Sequence, residues 1–266
     1  MRQRLLVIAM LLASACGGGG GSSSTPSTPS PTPTIPISAA CGALGSTVSS
    51  STAIVNGSEC SVANSSVVLL NMKDRDGLQA GSCTGTVIAP RAILTAAHCL
   101  PSTTATIRVF LGVGPELDAL SFAPHPSYGS GTSFDVGIVL MRDDIPRTAV
   151  PLLLSRDARV GETAVLTGWG KDAAGITSTL RAGVATITGV SSLTLQTAFT
   201  SNFSSVCQGD SGGPILVQEG GAWAIAGVIS ANSTLACSFG DNFYANVRNS
   251  SISGFILDRV PDAARR

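Results

Sequence analysis

Residues Gly209–Pro214 read GDSGGP. Ser211 has glycine two places before it and at the two places after it. Glycines permit a positive φ and let a substrate approach the backbone closely, which suits an exposed nucleophile. Asp210 raises a question. A fixed negative charge beside a reaction that builds an oxyanion must have its own role and a cation to neutralise it. The chain holds only two histidines, His98 and His125, and both precede Ser211. GDSGG also fits the G-x-S-x-G nucleophile elbow, but that fold places its histidine after the serine. A subtilisin order needs an aspartate of suitable context before the histidine, and none precedes His98. The order His, Asp, Ser remains.

His98 closes the apolar run AILTAAHCL. A lone histidine after a strand is usually structural, and the serine motif reverses that expectation. His125 lies in FAPHPSYGS, between prolines and turn residues, and reads as an exposed loop histidine, the weaker candidate for a base. Among the aspartates between His98 and Ser211, Asp135 stands in TSFDVGIVLM, directly before a strand-like apolar run. A carboxylate entering a core strand is costly unless it is hydrogen-bonded, and an orienter of imidazole must be so bonded. Asp143 and Asp144 in MRDDIP read as a solvated turn, and Asp157 and Asp172 sit in polar contexts.

The 266 residues suffice for one large domain or two small ones. Lys+Arg and Asp+Glu both number 16, so no basic surface invites nucleic acid. Charged residues are 12% of the chain, and Gly, Ser, Thr, Ala and Val are abundant. That composition suits an exported all-β domain. There is no internal repeat.

The N-terminus, MRQRLLVIAMLLASA, has a basic start and a short apolar stretch, the pattern of a secretory signal over 1–15. LASAC resembles a bacterial lipobox, with Ala13 where leucine is usual. It marks Cys16 for lipidation and a cell-envelope (outer-membrane or cell-surface) location. Ordinary cleavage after Ala15, giving a secreted protein, is the alternative. A Gly/Ser/Thr/Pro-rich tether follows over 16–40, then a pro-segment over 41–53. No charged residue occurs from Leu5 to Ser58, and the folded domain is expected over 54–266. Seven cysteines occur, and setting Cys16 aside leaves six. In an exported chain these read as disulfides. No spacing suits zinc, so no metal and no cofactor is expected. Six cysteines allow fifteen pairings, and spacing does not choose among them.

The sequence resembles the chymotrypsin-like (trypsin-like) serine peptidases. The matches are IVNG at 54–57, LTAAHC at 94–99, HPSY at 125–128, FDVGIVLM at 134–141, TGWG at 167–170 and GDSGGP at 209–214, in the family's order. The resemblance implies two antiparallel six-stranded β-barrels with a cleft between them and a short C-terminal helix in NSSISGFILDRV. It also implies Ser211 as nucleophile, His98 as base and acid, and Asp135 as orienter. Gly209 and Ser211 would form the oxyanion hole, with Ser230 supporting the aspartate. Cys83–Cys99 and Cys207–Cys237 match family bridges. Cys41 and Cys60 match no usual partners elsewhere and are left for each other. Asp210 would pair with the α-amine freed by a cut before Ile54, in answer to the question above.

Three departures stand out. Ala53 precedes the cut, so the activating protease is unknown. Thr84 replaces the family's common glycine. Ser205 occupies the pocket floor, with Ala231 and Asn232 and, on the simplest alignment, Asn242 at the walls. That pocket suits small or medium uncharged residues. A one-residue slip would bring Asp241 to the wall and favour Lys or Arg. The expected protein is a monomeric serine endopeptidase acting on protein or peptide. A catalytically silent binding lipoprotein on the same fold is the alternative class, and an esterase of another fold is disfavoured by residue order.

Overall fold

The computed structural model describes residues 37–45, 47–50, 56–172, 174–175, 177, 179–199, 203–234 and 237–266, with backbone alone at 37, 38 and 48–50. The signal, Cys16, most of the tether and the Ala53–Ile54 bond lie outside the described residues.

A 3₁₀ helix, Ile37–Leu44, leads into two three-residue strands, β1 (Val48–Ser50) and β2 (Ser58–Cys60). Six antiparallel strands then close a barrel. They are β3 (Val67–Lys73), β4 (Gln79–Ala89), β5 (Ala92–Thr95), β6 (Thr106–Phe110), β7 (Leu117–Pro124) and β8 (Gly137–Met141), in the ring order β3-β4-β5-β8-β7-β6. The second barrel comprises β9 (Thr163–Gly168), β10 (Arg181–Val190), β11 (Thr194–Ala198), β12 (Pro214–Glu219), β13 (Ala222–Asn232) and β14 (Asp241–Asn246). The order β10-β11-β14-β13-β12-β9 closes because β9 also pairs β10. This is the two-barrel all-β fold expected from the sequence. Closure leaves no open strand edge in either ring.

Valine, isoleucine and leucine fill both interiors, with Leu70, Ile93 and Ile138 in the first barrel and Leu166, Ile215 and Ile229 in the second. Burying each such side chain contributes about 1.5–3 kcal/mol. The barrels also bond to each other directly. The Trp169 indole N–H, just past β9, donates to the Val67 carbonyl of β3 at 3.2 Å.

The C-terminal helix α1, Ser250–Arg259, starts at Asn249, whose side chain accepts the Ser251 and Ile252 N–H groups. That cap satisfies donors the helix cannot. Ile252, Phe255 and Ile256 are buried at helical spacing.

Two features differ from the sequence reading. The packed chain begins before Ile54: in the leading 3₁₀ helix Ala40 and Cys41 are fully buried and Leu44 nearly so. Cys41 bonds Cys60 of β2, with Cα atoms 5.4 Å apart. The other bridges are Cys83–Cys99 and Cys207–Cys237. The second difference is His125, which is buried, not exposed. Its ring stacks on Phe134 at 5.1 Å and meets Phe255 of α1 at 4.8 Å. Its Nδ1 accepts the Ser127 N–H, and its Nε2 lies 3.3 Å from the Ser251 carbonyl. The flanking prolines suggested a surface turn, but α1 covers it from the far end of the chain.

Replacing His125 by alanine therefore leaves a cavity between two aromatic rings. His125→Ala is expected to lower stability by about 2–4 kcal/mol, read as a lower urea midpoint with unchanged denaturant slope.

Candidate active site

His98 sits in the short helix Ala97–Cys99 that follows β5. Its ring Nδ1 lies 2.7 Å from Asp135 Oδ2, and its backbone N–H donates to Asp135 Oδ1 at 2.9 Å. Asp135 immediately precedes Val136 and β8, and it has no solvent exposure. Its third donor is the Ser230 hydroxyl, at 2.5 Å from Oδ2. The pairing of β13 with β14 slips between Ile229 and Ala231. A bulge of this kind re-aims a side chain, here the Ser230 hydroxyl. An ionised Asp135 accepts the Nδ1–H and so leaves the lone pair on Nε2. Nε2 bonds no protein group among the described residues, and the ring is 32% exposed. Burial raises the Tyr128 phenol above its usual range, and the Asp135 charge adds to that.

Ser211 lies in the turn between Cys207 and β12. Its carbonyl accepts the Thr84 N–H at 2.8 Å and stands 3.8 Å from Cys99 Sγ, one residue from His98. Gly209 holds a φ of +96°, in the region that favours glycine. The N–H groups of Asp210, Gly212 and Gly213 donate to the carbonyls of Cys207, Ile229 and Asp210. Among the described residues, those of Gly209 and Ser211 donate to no protein acceptor. Two unsatisfied donors flanking one residue can receive an anionic oxygen.

Asp210 itself faces the interior. Oδ1 accepts the Gly170 N–H and Oδ2 the Cys207 N–H, both at 2.8 Å. The glycines of TGWG make room for it, since a Cβ on Gly168 would stand 2.1 Å from Oδ1. Burial pushes its carboxyl up to about 6, while the two backbone donors and the Arg181 guanidinium pull the other way. Its expected partner, Ile54, is outside the described residues.

A cavity of about 170 Å³ opens beside Ser211, lined by Val206, Ser230, Ala231, Asn232 and Thr234 among others. Ser205 and Asn242 do not line it; both are fully buried behind it. The Asn232 amide closes over them, donating to Asn242 Oδ1 at 2.8 Å and to Ser205 Oγ at 3.4 Å. Ser205 also donates to Asn242 Oδ1, and Thr234 donates twice to Asn232 Oδ1. Asn242, not Asp241, stands against Ser205. Asp241 pairs Ala198 one residue earlier, where alternation turns its side chain to the other face. Both asparagines were expected at the walls, whereas Thr234, which holds Asn232 in place, had no signal in the sequence.

His98, Cys83 and Cys99 bring ligand-type atoms within 4.8 Å of one another. Both sulfurs are joined in a disulfide, so neither is a thiolate ligand.

The trypsin family model matches residues 54–252. Bovine (Bos taurus) chymotrypsin-C is 31% identical over 196 residues, covering 62% of this chain and 72% of that protein. A trypsin from Saccharopolyspora erythraea is 29% identical over 161 residues, covering 52% and 71%. Human (Homo sapiens) transmembrane protease serine 5 is 27% identical over 220 residues, covering 69% of this chain but only 46% of that protein. With that match over most of its length, and the two-barrel fold beneath it, the chain belongs to the trypsin family of serine-type endopeptidases.

Proposed function

We propose that His98, Asp135 and Ser211 form the catalytic triad of a peptide-bond hydrolase. The observation that carries this reading is the His98–Asp135 pair, bonded through both the ring and the backbone of His98. Ser211 Oγ attacks the scissile carbonyl, and His98 Nε2 takes its proton. Asp135 stabilises the imidazolium. The Gly209 and Ser211 N–H groups receive the oxyanion. The histidine then protonates the leaving amine, and water resolves the acyl-enzyme by the same steps in reverse. A fluorophosphonate should label the wild type once it is cut before Ile54, and not Ser211→Ala treated in the same way. Asp135→Asn should cut turnover about 10⁴-fold, the loss known for the chymotrypsin-type triad. Full labelling of Ser211→Ala would rule this serine out as nucleophile.

The cavity supports cleavage after small or medium uncharged residues. Asn232 spends its donors on Ser205 and Asn242 and its acceptor on Thr234. A lysine or arginine side chain entering here would be desolvated without a partner, which costs several kcal/mol. Peptide-library profiling should return residues such as alanine, serine and valine at the cleavage site. A dominant Lys/Arg preference would overturn this pocket reading.

Asp210 supports activation by a cut before Ile54. A wholly buried carboxyl held at about 6 is a place where a new cation would gain most. In the intact chain that value exceeds the unfolded one of 3.8, so the folded state holds the proton more tightly. The contribution of Asp210 to stability is then highest below pH 4 and falls as pH rises from about 4 to 6. Above that, stability is lower than at acid pH by an amount on the order of 3 kcal/mol. In uncut Ser211→Ala protein, adding Asp210→Asn should shift stability progressively in the variant's favour between pH 4 and pH 7, measured by urea unfolding. A constant offset between the two would show that Asp210 does not titrate in this window. After the cut, an amine paired with Asp210 would reverse the trend.

The leader and the six bridged cysteines support export, and the LASAC sequence supports a lipid anchor at Cys16. No described helix is long and apolar enough to cross a membrane.

A further inference from the structure

We infer that Thr84 is a positioning residue for the oxyanion loop, an inference that rests on the reading of Ser211 and Gly209 given above. Thr84 lies on β4 of the first barrel, next to Cys83, and is fully buried. Its hydroxyl donates to the Gly209 carbonyl at 2.8 Å and accepts the Trp169 N–H at 3.0 Å. Its own N–H donates to the Ser211 carbonyl at 2.8 Å. Its carbonyl accepts the Thr95 hydroxyl at 2.8 Å, on the strand that leads to His98. One residue of the first barrel thus holds three backbone groups of the second, at 169, 209 and 211.

The hydroxyl sets the geometry at the point where it matters. The Gly209 carbonyl belongs to the peptide shared with Asp210, and the Gly209 N–H belongs to the preceding one. Only the glycine's own torsions separate them. Glycine is the residue least able to hold those torsions unaided. Fixing its carbonyl from outside therefore restrains the direction of its N–H. A glycine at 84 has no hydroxyl, and the buried Trp169 N–H and Gly209 carbonyl would need other partners. The threonine supplies both bonds from one side chain, with a β-branched rotamer that is stiff at χ1.

The test compares Thr84→Val, which keeps the shape and removes the hydroxyl, with Thr84→Ser, which keeps the hydroxyl. Each is assayed well below its unfolding midpoint, with Ser211→Ala as the blank. Thr84→Val should lower kcat about 10- to 100-fold, less than the loss of an oxyanion donor itself, with KM within threefold. Affinity for a peptide aldehyde, whose adduct with Ser211 carries the oxyanion, should fall by a similar factor. Thr84→Ser should stay within threefold of the wild type on all three. If Thr84→Val does not fold, Thr84→Ala carries the same comparison. Wild-type kcat and aldehyde affinity in the hydroxyl-free variant, whatever its stability, would overturn the inference. So would a serine variant as damaged as the valine. A wild type cut before Ile54 and still no more active than Ser211→Ala would instead overturn the triad reading beneath it.

Discussion

A carboxylate with no access to water must be given donors by the protein, and Asp135 takes them from both barrels. Two come from His98, on the short helix after β5. The third comes from Ser230, on β13 of the second barrel. Removing one partner of a buried charge typically costs about 3–5 kcal/mol, so the barrels cannot separate without exposing that cost. The same contact fixes the imidazole tautomer. A single desolvated carboxylate thus ties the assembly of the two halves to the orientation of the histidine between them.

The backbone leading to Asp135 is held under strain. Phe134 has a φ of +55°, a conformation that costs a bulky residue about 1–3 kcal/mol. It persists because its surroundings leave it no alternative. The Val136 N–H bonds the Phe134 carbonyl, the His125 N–H bonds the Val136 carbonyl, and the His125 ring lies on the Phe134 ring. Phe255 of α1 closes the far side of that histidine. The second histidine of the chain thus works through packing. It braces the turn that aims the aspartate, and the C-terminal helix braces it in turn.

What could be read from the sequence was local. His98, Asp135 and Ser211 each sit in a short segment whose polarity conflicts with its neighbours, and their order along the chain excluded other folds. The glycines around Asp210 could be recognised as a motif, although their reason is spatial: they clear room for a carboxyl that comes from 40 residues away. Less was legible where the partner is remote and ordinary. Nothing near His125 announces that Ser251, 126 residues on, will cover it. Ser205 reads as the pocket floor from the family resemblance alone, yet Asn232 shuts it off from the cavity. Thr84 was visible only as a departure from glycine. Its meaning lies in two bonds to residues 85 and 125 positions away.

The leading helix changes what a cut before Ile54 can accomplish. Ala40, Cys41 and Leu44 are buried in the same apolar cluster as residues of β10. The Cys41–Cys60 bridge closes around the expected cleavage point. A pro-segment that simply left would have to break that covalent bond and return its apolar side chains to water, the larger ones at about 1.5–3 kcal/mol each. Both barriers act in the same direction. On our reading, cleavage frees an amine without freeing a peptide. The new terminus can move while the 3₁₀ helix Ile37–Leu44 stays packed on β2 and β10. Activation and release then become separate events. The Cys41–Cys60 bridge would keep the chain before the cut joined to the domain after it.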